Sequence, residues 1–163
     1  MNMTSSATAP SPAKTAGIIA PPPLIYLGTL AVGLGLDAVI GTGSLPPRVA
    51  KPAGGALVIA GLGMLASFAG AFRGAQTPID PYTPTTTIVT DGPFRLSRNP
   101  AYLGMALIYA GIVSVSNAPW AFLPLPVAIA VVDRGVIARE ERYLERKFGA
   151  AYVDYKTRVR RWL

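Results

Sequence analysis

Apolar residues fall in four runs separated by polar, proline-punctuated gaps. Residues 22–40 and 53–72 each approach the ~20 residues that an α-helix needs to cross the hydrocarbon core of a bilayer. Residues 100–116 are marginal, and the apolar run at 120–132 is too short unless its helix continues through Asp133 and Arg134. That continuation is expected, because "VAIAVVDRGVIAREERYLERKFG" contains no proline, whereas Pro119, Pro124 and Pro126 kink its start. The helix should then run from the bilayer into water and end near Gly149. The pattern predicts an all-α integral membrane protein with about four transmembrane helices, near residues 22–40, 53–72, 100–116 and 120–148, forming one domain over residues 18–163. Residues 1–17, rich in Ser, Thr, Ala and Pro, read as a disordered leader. A cleaved signal peptide there would not account for the later apolar runs.

Composition agrees with a membrane location, since 51% of the 163 residues are apolar and only 14% charged. The net charge of +7 is concentrated locally, with nine Lys/Arg against four Asp/Glu over residues 134–163. Such a face suits an anionic membrane surface, and no nucleic-acid-binding motif accompanies it. With an N-terminus on the cytoplasmic side, thirteen of the fifteen basic residues lie inside and only Arg48 and Lys51 outside. Both termini are therefore expected in the cytoplasm of a bacterial-type inner or plasma membrane. Cysteine and histidine are both absent, which excludes disulfides, thiol nucleophiles, Cys/His metal centres and a Ser-His-Asp triad, and no metal is expected. Transfer between an activated donor and a bound acceptor remains open, because positioning and exclusion of water can carry it.

Within the second span, small residues recur at four-residue spacing (Ala66, Gly70, Gly74; Gly63, Ser67), which predicts a close helix–helix contact. Asp37 is the one acid well inside an apolar run. It is either functional or an interfacial group near the outer end of its span.

Two polar segments carry the candidate chemistry. The first is the long cytoplasmic loop over residues 73–98, in which Thr86, Thr87, Ile88 and Val89 should form a short extended stretch with backbone groups free to bind. In "SRNPAYLG", Pro100 suits the first turn of the third span, with Asn99 at its N-cap. The helix start, flanked by Arg95 and Arg98, could receive an anion or could be ordinary membrane anchoring. The second segment is "DRGVIAREERYLERKFGAAYVDYKTRVRRW". On a regular helix Asp133 and Glu140 share one face while Arg134 and Glu141 share the next. These carboxylates could hold an ammonium or sulfonium group, or could pair with neighbouring arginines.

"GPFRLSRNPAYLG" followed by "EERYLERKFGAAYVDYKTRV" resembles the integral-membrane methyltransferases, namely the isoprenylcysteine carboxyl methyltransferases and the related phospholipid N-methyltransferases. The resemblance covers roughly the C-terminal half of the chain. It implies S-adenosylmethionine as cofactor and methyl transfer to a lipid-like or small apolar acceptor on a carboxylate, amine or thiol, with a phospholipid amine as the alternative. A non-catalytic membrane scaffold or transport subunit is the rival outside the enzymes. Carried over by position, Thr86, Thr87, Ile88, Val89 and Phe94 would contact the cofactor, as would Asn99, Pro100, Ala101, Tyr102 and Glu140. Asn99, Tyr102, Glu140 and Glu141 would form the catalytic group, and Arg134 or Arg139 would meet the acceptor. Many relatives have His where this chain has Asn99, an amide that can hydrogen-bond but is no base at neutral pH.

Overall fold

The computed structural model describes residues 17–41, 43–79 and 83–163. The leader expected at residues 1–17 therefore lies outside the described residues except for Gly17, as does Lys14 of the charge count. Four helices begin with proline in the first turn: α1 (Pro22–Ile40), α2 (Pro47–Gly74), α3 (Pro100–Val115) and α4 (Pro124–Val132). Proline costs little there, because the first N–H groups of a helix have no partner within it. A 3-10 turn (Pro119–Phe122) leads into α4, which continues without a break through a π-helical turn (Asp133–Ile137) into α5 (Ala138–Phe148). Gly149, at φ +54°, turns the chain into α6 (Ala150–Arg158), a backbone geometry that side-chain-bearing residues rarely adopt.

No strand occurs among the described residues, so the all-α expectation holds. Three continuous stretches, Pro22–Ile40, Pro47–Gly74 and Pro119–Phe148, are long and apolar enough to cross a membrane. The 16 residues of α3 rise about 24 Å at 1.5 Å each, short of the ~30 Å core, so α3 depends on its neighbours for a full crossing. Helix α2 starts at Pro47, earlier than the apolar run, and carries Pro52 inside it. The carbonyl that Pro52 leaves unpaired belongs to Arg48, at the polar end of the span.

Helices α2 and α3 meet backbone to backbone. A β-carbon on Gly61 would stand 2.6 Å from the Gly104 carbonyl oxygen, and one on Gly111 2.7 Å from that of Gly54. Two glycine pairs, each seven residues apart, therefore face one another, a separation that permits dispersion and Cα–H···O contacts in place of a hydrophobic driving force. This corrects the expected stripe. Gly63, Gly70 and Gly74 have nothing within 4 Å of a β-carbon, and Ala66 and Ser67 are exposed. Both sets of small residues allow close approach, but only Gly54 and Gly61 meet glycines of matching spacing on the partner helix.

Helix α1 packs on α4 and on the 3-10 turn, with Gly33 against the backbone of Ala121. The Tyr109 hydroxyl lies within hydrogen-bond reach of the carbonyl oxygens of Ala121 (2.9 Å) and Thr29 (3.2 Å), tying α3 to both. Asp37 accepts the backbone N–H of Trp120 at 3.0 Å. The intramembrane acid is thus a cap for the 3-10 turn. A second cluster, built on Phe94, Tyr152 and Tyr155 with Phe68, Phe72, Ile88 and Val89 packed against it, lies at the other end of the bundle.

Candidate functional site

The π-helical turn sets the register of the acidic helix. A π turn takes in one extra residue, so groups that would align seven apart on an α-helix align eight apart beyond it. Asp133 consequently falls in line with Glu141 instead of Glu140, which corrects the face expected from regular spacing. Both are bound by one side chain: Arg161 donates to Asp133 Oδ2 at 3.0 Å and to Glu141 Oε2 at 2.5 Å. Glu141 also receives Arg98 at 2.8 Å, and the side chains of this pair are only 6% and 8% exposed. A buried carboxylate between two guanidinium groups has its charge and lone pairs satisfied, the condition under which burial of a charge is tolerated.

Glu140, one residue earlier, is turned to a different neighbour. Its Oε1 accepts the Tyr102 hydroxyl at 2.8 Å, and no cation pairs with it among the described residues. Tyr102 is held in turn through its carbonyl, which accepts the Tyr26 hydroxyl at 3.3 Å from α1. Two adjacent carboxyl groups on one helix thus stand differently: Glu141 is held between two guanidinium groups, whereas Glu140 keeps acceptor capacity and meets no cation among the described residues.

Glu140 and Tyr102 line a cavity of about 380 Å³, within the ~300–1,000 Å³ usual for small-molecule sites. Its walls are mainly apolar. They comprise Pro21, Pro22 and Pro23 at the start of α1, Phe68 and Phe72 at the end of α2, Met105 of α3, and Leu144 of α5. Of the residues expected at a cofactor, Thr87, Ile88, Val89, Phe94, Asn99, Pro100, Ala101, Tyr102 and Glu140 all line this cavity, as does Glu141. Thr86 does not, and its N–H is not free, because it donates to Thr77 Oγ1 at 3.1 Å. Thr87, Ile88 and Val89 run irregularly, without strand pairing and with no backbone hydrogen bond among the described residues. Arg134 and Arg139 lie outside the cavity. Arg134 borders a shallow groove on α4, and Arg139 donates to the Gly17 carbonyl at 2.8 Å.

Asn99 lines the cavity, but its side-chain Nδ2 donates to the Arg161 carbonyl at 3.0 Å. Phe94 is fixed by Tyr155, whose hydroxyl donates to the Phe94 carbonyl at 2.7 Å and is pushed up to about 12 in pKa by burial, so it keeps the proton it donates. Sequence reasoning placed Arg98 beside a possible anion site, whereas it pairs with Glu141, and it missed Arg161, the three prolines and the apolar wall of Phe68, Phe72, Met105 and Leu144. Arg98 sat next to the recognised Asn-Pro pair, and the prolines mark the start of the first span. Arg161 lay in a basic tail whose side chains carry no periodic signal.

The sequence profile of the phospholipid methyltransferase family matches residues 49–151, which include the loop, Tyr102 and both glutamates. An uncharacterized protein of Haemophilus influenzae is 44% identical to the chain over 62 residues, 38% of this chain and 98% of that protein. No solved structure matches the chain significantly.

Proposed function

The chain belongs to the phospholipid methyltransferase family, and on that premise we propose that it transfers a methyl group from S-adenosylmethionine to an amine-bearing phospholipid at the membrane. The observation that carries the proposal is Glu140, a carboxylate in the wall of a mainly apolar cavity with one neutral donor and no cation of its own. Its ionised form is costly to bury unless a positive group pairs with it or a proton neutralises it, so a cationic ligand would favour the ionised form. The cofactor has an ammonium and a sulfonium, and both the cavity's volume and its mixture of aromatic walls with one unpaired acid fit such a molecule.

When bound, S-adenosylmethionine supplies an electrophilic methyl group on sulfur, open to in-line displacement by a nucleophile. The protein's own work is binding and alignment. Glu140, oriented by the Tyr102 hydroxyl, holds the cationic end. Thr87, Ile88 and Val89 offer unpaired backbone groups, and Phe94 supplies an aromatic wall held by Tyr155. Phe68, Phe72, Met105 and Pro21–Pro23 keep water from the reacting atoms, and desolvation with alignment provides the acceleration. The acceptor nitrogen would react as the free amine, its proton given up to the aqueous side before attack, with the C–N bond forming as the methyl–sulfur bond breaks and S-adenosylhomocysteine leaves. The acceptor's hydrocarbon chains reach the cavity laterally from the bilayer, between the start of α1 and the end of α2, where the lining is apolar.

The choice of an amine over a carboxylate rests on charge. Among the described cavity-lining residues the charged groups are Arg98, Glu140 and Glu141, and Arg98 is committed to Glu141. With Arg98 taken by Glu141, a carboxylate acceptor would find no free cation of the protein among the described cavity-lining residues. The basic residues of α5, α6 and the tail face the cytoplasm in this proposal, with both termini on that side. Isothermal titration of the detergent-purified protein with S-adenosylmethionine is the test. Saturable binding is expected, and its absence from a folded sample sinks the proposal. A labelled-methyl assay on separated phospholipids then distinguishes an aminophospholipid acceptor from a carboxyl one.

A further inference from the structure

The last residues of the chain do not trail into solvent. Arg160 accepts the Arg98 N–H through its carbonyl at 3.0 Å, and the Arg161 carbonyl receives both Ser97 Oγ (3.2 Å) and Asn99 Nδ2 (3.0 Å). The Arg161 guanidinium reaches the other way to Asp133 and Glu141, and Trp162 Nε1 donates to Asp133 Oδ1 at 3.0 Å. Two or three residues thus bridge the loop that starts α3 to the helix that carries the paired glutamates. None of them lines the cavity. What they join are the two supports of its polar end: Tyr102 follows Asn99 by three residues, and Glu140 precedes Glu141.

We infer that the C-terminal segment at residues 160–162 is a strap and that Arg161 is its positioning residue, fixing the α3 start against α5 so that Tyr102 directs Glu140 into the cavity. This rests on the methyltransferase proposal for the identity of the ligand. Charge supports the assignment. Arg98 and Arg161 balance Asp133 and Glu141, so the network is neutral as a unit and Glu140 is the one carboxylate in this group left for a ligand. Bonds through backbone carbonyls on one side and side chains on the other make the strap directional. A tail held by charge alone would need neither Asn99 nor Ser97.

The sign of the effect separates positioning from simple electrostatics. Removing a cation near Glu140 would, by Coulomb attraction alone, tighten the hold on a cationic ligand. Loss of positioning weakens it. The test is a double-mutant cycle of Arg161→Ala and Glu140→Gln in a Trp120→Phe background, where Trp162 is the sole tryptophan. Trp120 lies beside Asp37 at the other end of the bundle, and its indole nitrogen has no partner to lose. Acrylamide quenching of Trp162 reads whether the strap is docked, and calorimetry with S-adenosylmethionine reads the site. Arg161→Ala is expected to raise quenching and to weaken binding roughly tenfold, with the further loss in the Glu140→Gln background falling below about twofold, as for residues acting through one another. Equal losses in both backgrounds, tighter binding, or unchanged binding with Trp162 released each overturn the inference. Should Arg161→Ala not fold, Arg161→Lys, which keeps a single cation for Glu141, is read by the same two measurements and is expected to show more quenching and weaker binding than wild type; wild-type values overturn the inference. No uptake of cofactor by the wild type sinks the methyltransferase proposal and the strap's role with it, whereas normal uptake with an indifferent Arg161 sinks the strap alone.

Discussion

At the scale of single residues, the contrast between Glu140 and Glu141 separates ligand binding from stability. A hydrogen bond to a charged group contributes about 1.5–3 kcal/mol, roughly tenfold to a hundredfold in affinity. Glu140→Gln should therefore weaken S-adenosylmethionine by about that factor while leaving thermal stability near wild type, since Glu140 has only Tyr102 to lose. Glu141→Gln should act mainly on stability, lowering the melting temperature because two arginines lose their shared counter-charge, and should weaken binding only as far as it releases the strap. Tyr102→Ala should resemble Glu140→Gln in the binding assay. Asp37→Asn, at the far end of the bundle, should leave cofactor affinity unchanged and cost about 1 kcal/mol or less, because an amide oxygen can still accept the Trp120 N–H. Parallel titrations and melts of the four variants check this set, and equal binding losses in all of them would point to general destabilisation. The polar end of the cavity was legible because "RNPAY" and the Glu-Glu pair are unusually polar for their place in the chain and carry the resemblance to the family. The different fates of two neighbouring glutamates were not, because they depend on a register that the residue types alone do not reveal.

At the scale of elements, that register comes from the π turn. Deleting Gly135 should restore α-helical spacing, in which groups seven apart align, and so keep Glu140 on Tyr102 and Glu141 on Arg98, whereas inserting one alanine after Ile137 should rotate everything after it by about 100°. The insertion variant should lose cofactor binding while retaining its helical circular dichroism and the deletion variant should keep both, and retained binding by the insertion variant would show that the register set by the π turn has no part in the site. Helix packing gives a second expectation. Gly61→Ala places a methyl 2.6 Å from the Gly104 carbonyl oxygen, an overpacking that costs about 1–3 kcal/mol. Gly70→Ala meets open space and should be neutral or slightly stabilising, since alanine restricts the unfolded chain. Thermal melts of the pair in one detergent decide between the glycine face found in the structure and the stripe expected from spacing. The spans themselves were legible because twenty consecutive apolar residues admit few other solutions. Which face of a span is buried was not, because a small-residue repeat marks a face as able to pack without naming its partner.

At the scale of the whole molecule, the question is which side of the membrane holds the cavity. The cavity, the strap and the basic helices share one end of the bundle, whereas Asp37, Trp120, Arg48 and Lys51 belong to the other. The excess of Lys and Arg at the cavity end is the ground for proposing that it faces the cytoplasm, because basic residues resist transfer across the bilayer. The methyltransferase proposal needs the same side, since S-adenosylmethionine is a charged, cytoplasmic metabolite. The absence of cysteine makes the expectation simple to check, because any introduced thiol is unique. Lys147→Cys, on the exposed face of α5, and Lys51→Cys, near the start of α2, are both solvent-accessible positions. In intact cells a membrane-impermeant maleimide should label Lys51→Cys and spare Lys147→Cys until the membrane is permeabilised. The opposite pattern would place the cavity away from its cofactor. The methyltransferase proposal would then fail at the scale of the molecule however well Glu140 suits an ammonium group.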